Sequence, residues 1–110
     1  MKKVIYAGSE FLTGDDITFA LLSCSQALAE AGEAETVSLP VVEPDGAISA
    51  VTVLIGPASQ IVAKDASPDL EELVDETAVE RLNAIQRRHH PVAVIDGDVP
   101  KTVEWDGELD

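Results

Sequence analysis

Every arginine and histidine of this 110-residue chain lies between positions 81 and 90: Arg81, Arg87, Arg88, His89 and His90. Imidazoles are the commonest general bases and metal ligands, so their placement limits the available chemistry. Adjacent side chains on a helix point about 100° apart, which is poor geometry for two histidines sharing one metal. Both histidines also fall where a helical pattern ends at Pro91, away from any serine and aspartate that would complete a hydrolytic set. Cations at a helix C-terminus instead complement the free carbonyls and the dipole there. On a chain this acidic, Arg87 and Arg88 form a basic patch whose natural complement is an acidic surface of a second copy.

Carboxylates supply a second possibility. Asp15, Asp16 and Asp45 are candidate ligands for a hard cation, gathered with Glu10 and Glu43 at one end of a sheet. Such cations take several oxygens at close range. No calcium-loop spacing is present, however. A helix dipole accounts for Asp15 and Asp16, and a turn accounts for Asp45. The third candidate is the loop Gly56-Pro57-Ala58-Ser59-Gln60, where small residues admit a ligand and Ser59 or Gln60 could hydrogen-bond it. It lacks the second glycine and the Gly-Lys-Ser/Thr ending of a phosphate loop. Cys24 is the sole cysteine, so no intrachain disulfide exists. Set among apolar helix neighbours, it reads as a small buried hydrophobe. No motif implies a cofactor, and no catalytic constellation is visible.

Aspartate and glutamate total 21 against 7 lysines and arginines, a formal net charge of −14. Nucleic acid and anionic membranes bind chiefly through basic residues, so both are excluded as expected partners. A basic protein or a second copy fits better. The start of the chain has no apolar run long enough for a signal peptide, and no stretch has the length of a membrane span. The expected compartment is the cytoplasm.

The elements that must position these residues follow from periodicity. Residues 4–7 read as a short strand ended by Gly8. Thr13 and Asp16 resemble a capping box opening a helix whose apolar stripe runs through Ile17, Leu21, Cys24 and Leu28 to a stop at Gly32. Residues 36–42 alternate, and Pro40 assigns them to a sheet edge. The turn Pro44-Asp45-Gly46 joins them in a hairpin to 47–55, apolar enough to be central. A short strand at 60–63 is optional. Residues 68–90 fit one helix opening at Ser67-Pro68, or two with a break near Asp75. Residues 92–95 form a last strand.

The expected fold is α+β, a two-layer sandwich of ferredoxin-like order β-α-β-β-(β)-α-β. A small doubly wound α/β domain with a mostly parallel sheet is the alternative. Residues 1–100 form one domain, and 101–110 are an acidic tail carrying Trp105. Trp105 is expected to pack near Arg87 or Arg88. The expected function is that of a small accessory or interaction module, a homodimer. A small-molecule site at 56–60 or at the acidic end is the alternative.

Overall fold

The computed structural model describes residues 1–89. Strands β1 (Lys2–Tyr6) and β2 (Ser9–Thr13) lead into helix α1 (Asp15–Ala31). Strands β3 (Glu35–Val42), β4 (Ile48–Ile55) and β5 (Ile61–Asp65) follow, and helix α2 (Glu76–His89) closes the described chain. The strands make one sheet in the order β4-β3-β2-β1-β5. Every neighbouring pair is antiparallel, which overturns the mostly parallel, doubly wound alternative. The α+β reading stands, with an element order that differs from the expected one at a definite place. The segment after Gly8 is a second strand, and the optional strand at 60–63 is real. The expected strand at 92–95, His90 and Trp105 lie outside the described residues.

Strand β2 forms because Ala7 and Gly8, both at positive φ (52° and 80°), close a two-residue hairpin from Tyr6 to Ser9. Positive φ at both turn positions matches the right-handed twist of the flanking strands. An alanine in that region costs about 1–2 kcal/mol. The turn is held by five paired residues of β1 and β2.

The sheet is two units joined by a narrow seam. Only Leu12 and Val42 pair across β2 and β3, whereas β3 and β4 pair from Glu35↔Ile55 to Val42↔Ile48. Strands β2 and β3 overlap only at their ends, and Pro40 stands opposite Gly14, where β2 gives way to α1. The Pro40 carbonyl accepts the Thr13 hydroxyl at 2.8 Å, so that side of Pro40 faces β2. Within an antiparallel strand a residue's N–H and C=O point to the same side. The missing N–H of Pro40 therefore falls where the β2–β3 ladder has already ended. This corrects the assignment of β3 to an edge: β3 is internal, and the apolar strand β4 is the edge.

Helix α1 buries Ile17, Leu21, Cys24 and Leu28 against Val4, Val37, Leu39 and Ile55 of the sheet. Gly32 ends it in the left-handed conformation at φ 68°, with Gly32 N–H on Ala29 O and Glu33 N–H on Leu28 O. These are the bonds of a Schellman stop. The N-terminus departs from expectation. Thr13 is wholly buried and spends its hydroxyl on Pro40, so it caps nothing. Glu72, far along the chain, does that work: its Oε2 accepts the Asp15 N–H at 2.6 Å. Its Oε1 lies 2.7 Å from the Met1 ammonium, and Asp15 Oδ1 lies 2.9 Å from the same group. Helix α2 begins at the break near Asp75, whose Oδ1 accepts the Ala78 N–H at 3.0 Å.

Cys24 is fully buried, and burial first, then the nearby Glu35 carboxylate, pushes its thiol above the ordinary range. The thiolate is the reactive form. Labelling of the native protein by a thiol reagent should therefore proceed no faster than unfolding. Rapid stoichiometric labelling without denaturant would show that α1 faces another way.

Candidate functional site

The loop 56–60 carries the end of β4 back to the start of β5, where Ile61 pairs with Tyr6. Together with the Ala7–Gly8 turn it walls an open groove of about 680 Å³, lined by Ile5, Tyr6, Leu54, Pro57, Ser59 and Val62 among others. Gly56 approaches closely here, since a Cβ on it would lie 3.2 Å from the Ala34 Cβ. Among the described residues no charged side chain lines the groove.

Ser59, one of the two candidate ligand contacts, is occupied within the protein. Its Oγ accepts the Gly56 N–H at 2.9 Å and lies 2.7 Å from Tyr6 Oη. The Tyr6 hydroxyl in turn donates to the Leu54 carbonyl. Proton counting orders the relay: Gly56 N–H to Ser59 Oγ, Ser59 O–H to Tyr6 Oη, Tyr6 O–H to Leu54 O. Each hydroxyl donates once and accepts once. The relay staples the loop to β1, and the partners of the serine hydroxyl in it are a tyrosine hydroxyl and a backbone N–H. Gln60 lines the same groove with its side chain exposed.

Ser59→Ala removes two of these bonds and should cost about 1–3 kcal/mol, at roughly 0.5–1.5 kcal/mol per bond. Tyr6→Phe should cost a similar amount, and the double variant less than the sum, read by urea denaturation. Fully additive losses would show that the hydroxyls do not act as one relay.

The three candidate cation ligands are held apart. Asp15 faces the Met1 ammonium beside Glu72, and Asp16 lines a shallow surface with Phe19. Asp45 Oδ1 accepts the Ala47 N–H in the β3–β4 turn at 2.9 Å. Glu10 is drawn to the far end of β2, opposite Ile5, because β2 exists. Among the described residues no group of three histidines, cysteines, aspartates or glutamates could hold a metal ion.

The basic patch is also engaged. Arg88 lies 2.8 Å from Glu35 Oε2, His89 Nε2 lies 3.0 Å from the same oxygen, and Arg87 lies 2.8 Å from Glu80. Hydrogen bonding to His89, then to Arg88, holds the Glu35 carboxyl below its ordinary range. A depressed carboxyl stabilises the fold above its unfolded pKa, and that contribution is lost as pH falls through the folded value. These contacts tie the end of α2 to the start of β3, a connection that periodicity does not reveal. The opposite charges at 35 and 88 are its only signal in the sequence.

The residues missed altogether are those of β4. Along it Ile48, Ala50, Thr52 and Leu54 are exposed, and Val51 and Val53 are half-buried. Ile48 is 64% exposed and Leu54 63%. Continuous apolarity suggested a central strand. One face rests on the core, while among the described residues the other face is exposed and no strand pairs with the outer edge.

No protein-family model matches this chain, and no curated protein or solved structure is significantly similar to it. Among the described residues no helix is long and apolar enough to cross a membrane.

Proposed function

We propose that this chain is a small acidic interaction module that self-associates along the edge of β4, which pairs with no further strand among the described residues. The observation that carries the reading is the contrast between the two edges of the sheet. Strand β5 is five residues long and carries Lys64 and Asp65, charges of the kind that discourage edge pairing. Strand β4 has eight residues, no charge and no proline, with large aliphatic side chains near both ends. Up to the Leu54 carbonyl, which accepts the Tyr6 hydroxyl, an uncharged edge of that kind presents unpaired backbone groups to another strand. A second copy supplies such a strand, whereas two −14 bodies meeting elsewhere would oppose charge to charge. A reduced compartment such as the cytoplasm fits the single buried cysteine.

Sedimentation at micromolar concentration should show a dimer. Added monovalent salt should strengthen it, because screening weakens the repulsion between acidic partners while leaving apolar contacts intact. A monomer mass throughout, at low and high salt alike, would refute the reading. The second reading, a small neutral ligand in the groove beside Ser59 and Gln60, rests on that groove's volume, which suits a small molecule.

A further inference from the structure

We infer that the cavity between the β3–β4 turn and residues 70–74 docks a basic segment of a partner protein. An aliphatic side chain enters the cavity, and a flanking lysine or arginine rests on Glu71. The site does not depend on self-association through the β4 edge. The cavity, of about 480 Å³, is lined by Val42 and Ile48 of the sheet and by Leu70, Leu73 and Val74 of the segment after β5. Val42 and Ile48 are the last pair of β3 and β4 before the turn, so they share a face of the sheet. Leu73 is buried in the core, whereas Ile48, Leu70 and Val74 are 64%, 40% and 65% exposed. Three of the six large apolar side chains that stand exposed among the described residues therefore converge on one cavity.

The backbone imposes this exposure. The segment between β5 and α2 is pinned along its length: the Ala66 N–H donates to the Met1 carbonyl at 3.1 Å, and the Leu73 N–H to Met1 Sδ at 3.2 Å. Glu72 holds the Met1 ammonium and the Asp15 N–H, and the Leu73 carbonyl backs on to Gly14. Leu70 and Val74 are thus held outward, and closing them on to the core would break these ties. A preformed apolar cavity receives an anchoring side chain at little ordering cost. Charge then selects the partner. Residues 69–76 carry Asp69, Glu71, Glu72, Asp75 and Glu76 and no base. Glu71 and Glu72 line the cavity itself, and no lysine, arginine or histidine of the described residues does. Glu72 is spent on Met1 and Asp15, while Glu71 is exposed and has no hydrogen bond or ion pair among the described residues. A carboxylate beside an apolar mouth recognises an ammonium or guanidinium carried next to an aliphatic side chain. Nucleic acid and anionic lipid are repelled there. A second copy brings −14 of its own, with Arg87 and Arg88 already on Glu80 and Glu35.

The probe is a fluorescently labelled, end-capped peptide of alternating lysine and leucine, titrated with the full chain and read by anisotropy. It should bind saturably, and added monovalent salt should weaken it. Peptides with serine in place of leucine, or glutamate in place of lysine, should bind at least about tenfold more weakly. Val74→Ser should weaken binding of the lysine–leucine peptide about fivefold and Glu71→Gln about threefold. Both side chains are exposed, so melting should not change. Glu33→Gln makes the same charge change beyond the opposite end of β3 and should leave binding unaltered. Glu72 is kept intact because it caps α1. Absent or unsaturable binding would overturn this site. So would equal losses from Glu33→Gln and Glu71→Gln, or equal binding of the serine peptide, since either would show a basic chain adhering to the acidic surface at large. Hexylammonium binding as tightly as the peptide would assign the cavity to small amines. A change on Val74→Ser in the sedimentation of the protein alone would assign it to a second copy. Either result overturns the protein partner. A monomeric wild type that binds the peptide as described would remove self-association and uphold this site.

Discussion

Gly14→Ala should destabilise the protein by about 1–3 kcal/mol, the range for forcing extra atoms into a packed site. Backbone conformation is not the reason: at φ −72° and ψ 160° any residue is comfortable at this position. Space is the reason. A Cβ on Gly14 would stand 1.8 Å from the Leu73 carbonyl oxygen and 3.0 Å from Glu72 Oε2. The first of these is main chain and has no rotamer to move away. Either β2 and α1 shift or the segment bearing Leu73 lifts off. Lifting it would break the Glu72 bond to Asp15 N–H and expose Leu73, which is 9% accessible. Glu72→Ala separates the two contributions. It removes the borrowed cap without adding an atom and should cost about 1 kcal/mol, the usual value of a helix cap. Urea denaturation of both variants is the measurement. If Gly14→Ala costs no more than Glu72→Ala, the close approach of Leu73 is not a constraint on the fold.

The same junction shows where the sequence was legible and where it was not. Helix α1 could be read because its apolar period, its acidic first turn and Gly32 all act within a few residues of one another. The β3–β4 hairpin could be read because Asp45 and Gly46 carry their turn geometry locally, with Gly46 at φ 89°. The break at Asp75 was one of two local options, and the carboxylate on Ala78 N–H decides it. Strand β2 was hidden because Phe11 and Leu12 are both half-buried and show no alternation. Its turn also rests on an alanine where Asn or Gly is the usual signal. The cap of α1 could not be read from neighbours, since Glu72 is 57 positions away from Asp15. The edge position of β4 follows from the pairing of β3 with β2, a strand that periodicity does not reveal. Of the candidate site residues, Ser59 was singled out as a ligand contact. Its relay partner Tyr6 lies 53 positions away, and nothing local announced it.

Leu82→Ala should cost about 2–5 kcal/mol, the range for truncating a buried leucine, and the loss should be concentrated in α2. That helix is mostly solvated: its buried residues are Ala78 and Leu82, and Leu82 is 2% accessible. Val79 and Ile85 pack half-buried against the core beside it, while the exposed pair of Arg87 with Glu80 lies within α2 itself and contributes little in water. The Arg88 and His89 contacts to Glu35 fasten its last turn, but they do not replace a core side chain. Removing the leucine therefore takes the largest buried side chain that α2 contributes to the core, and α2 should open while the sheet stays paired. Cys24 reports this opening. It is fully buried, and its thiol feels the charge of Arg88, so the end of α2 lies near it. Under native conditions the variant should label at Cys24 many times faster than the wild type, at denaturant concentrations where the sheet signal is unchanged. Two results would count against it. A destabilised variant whose Cys24 labels only on global unfolding would show that α2 and the sheet melt as one unit. A variant as stable as the wild type would show that Leu82 does not anchor the helix.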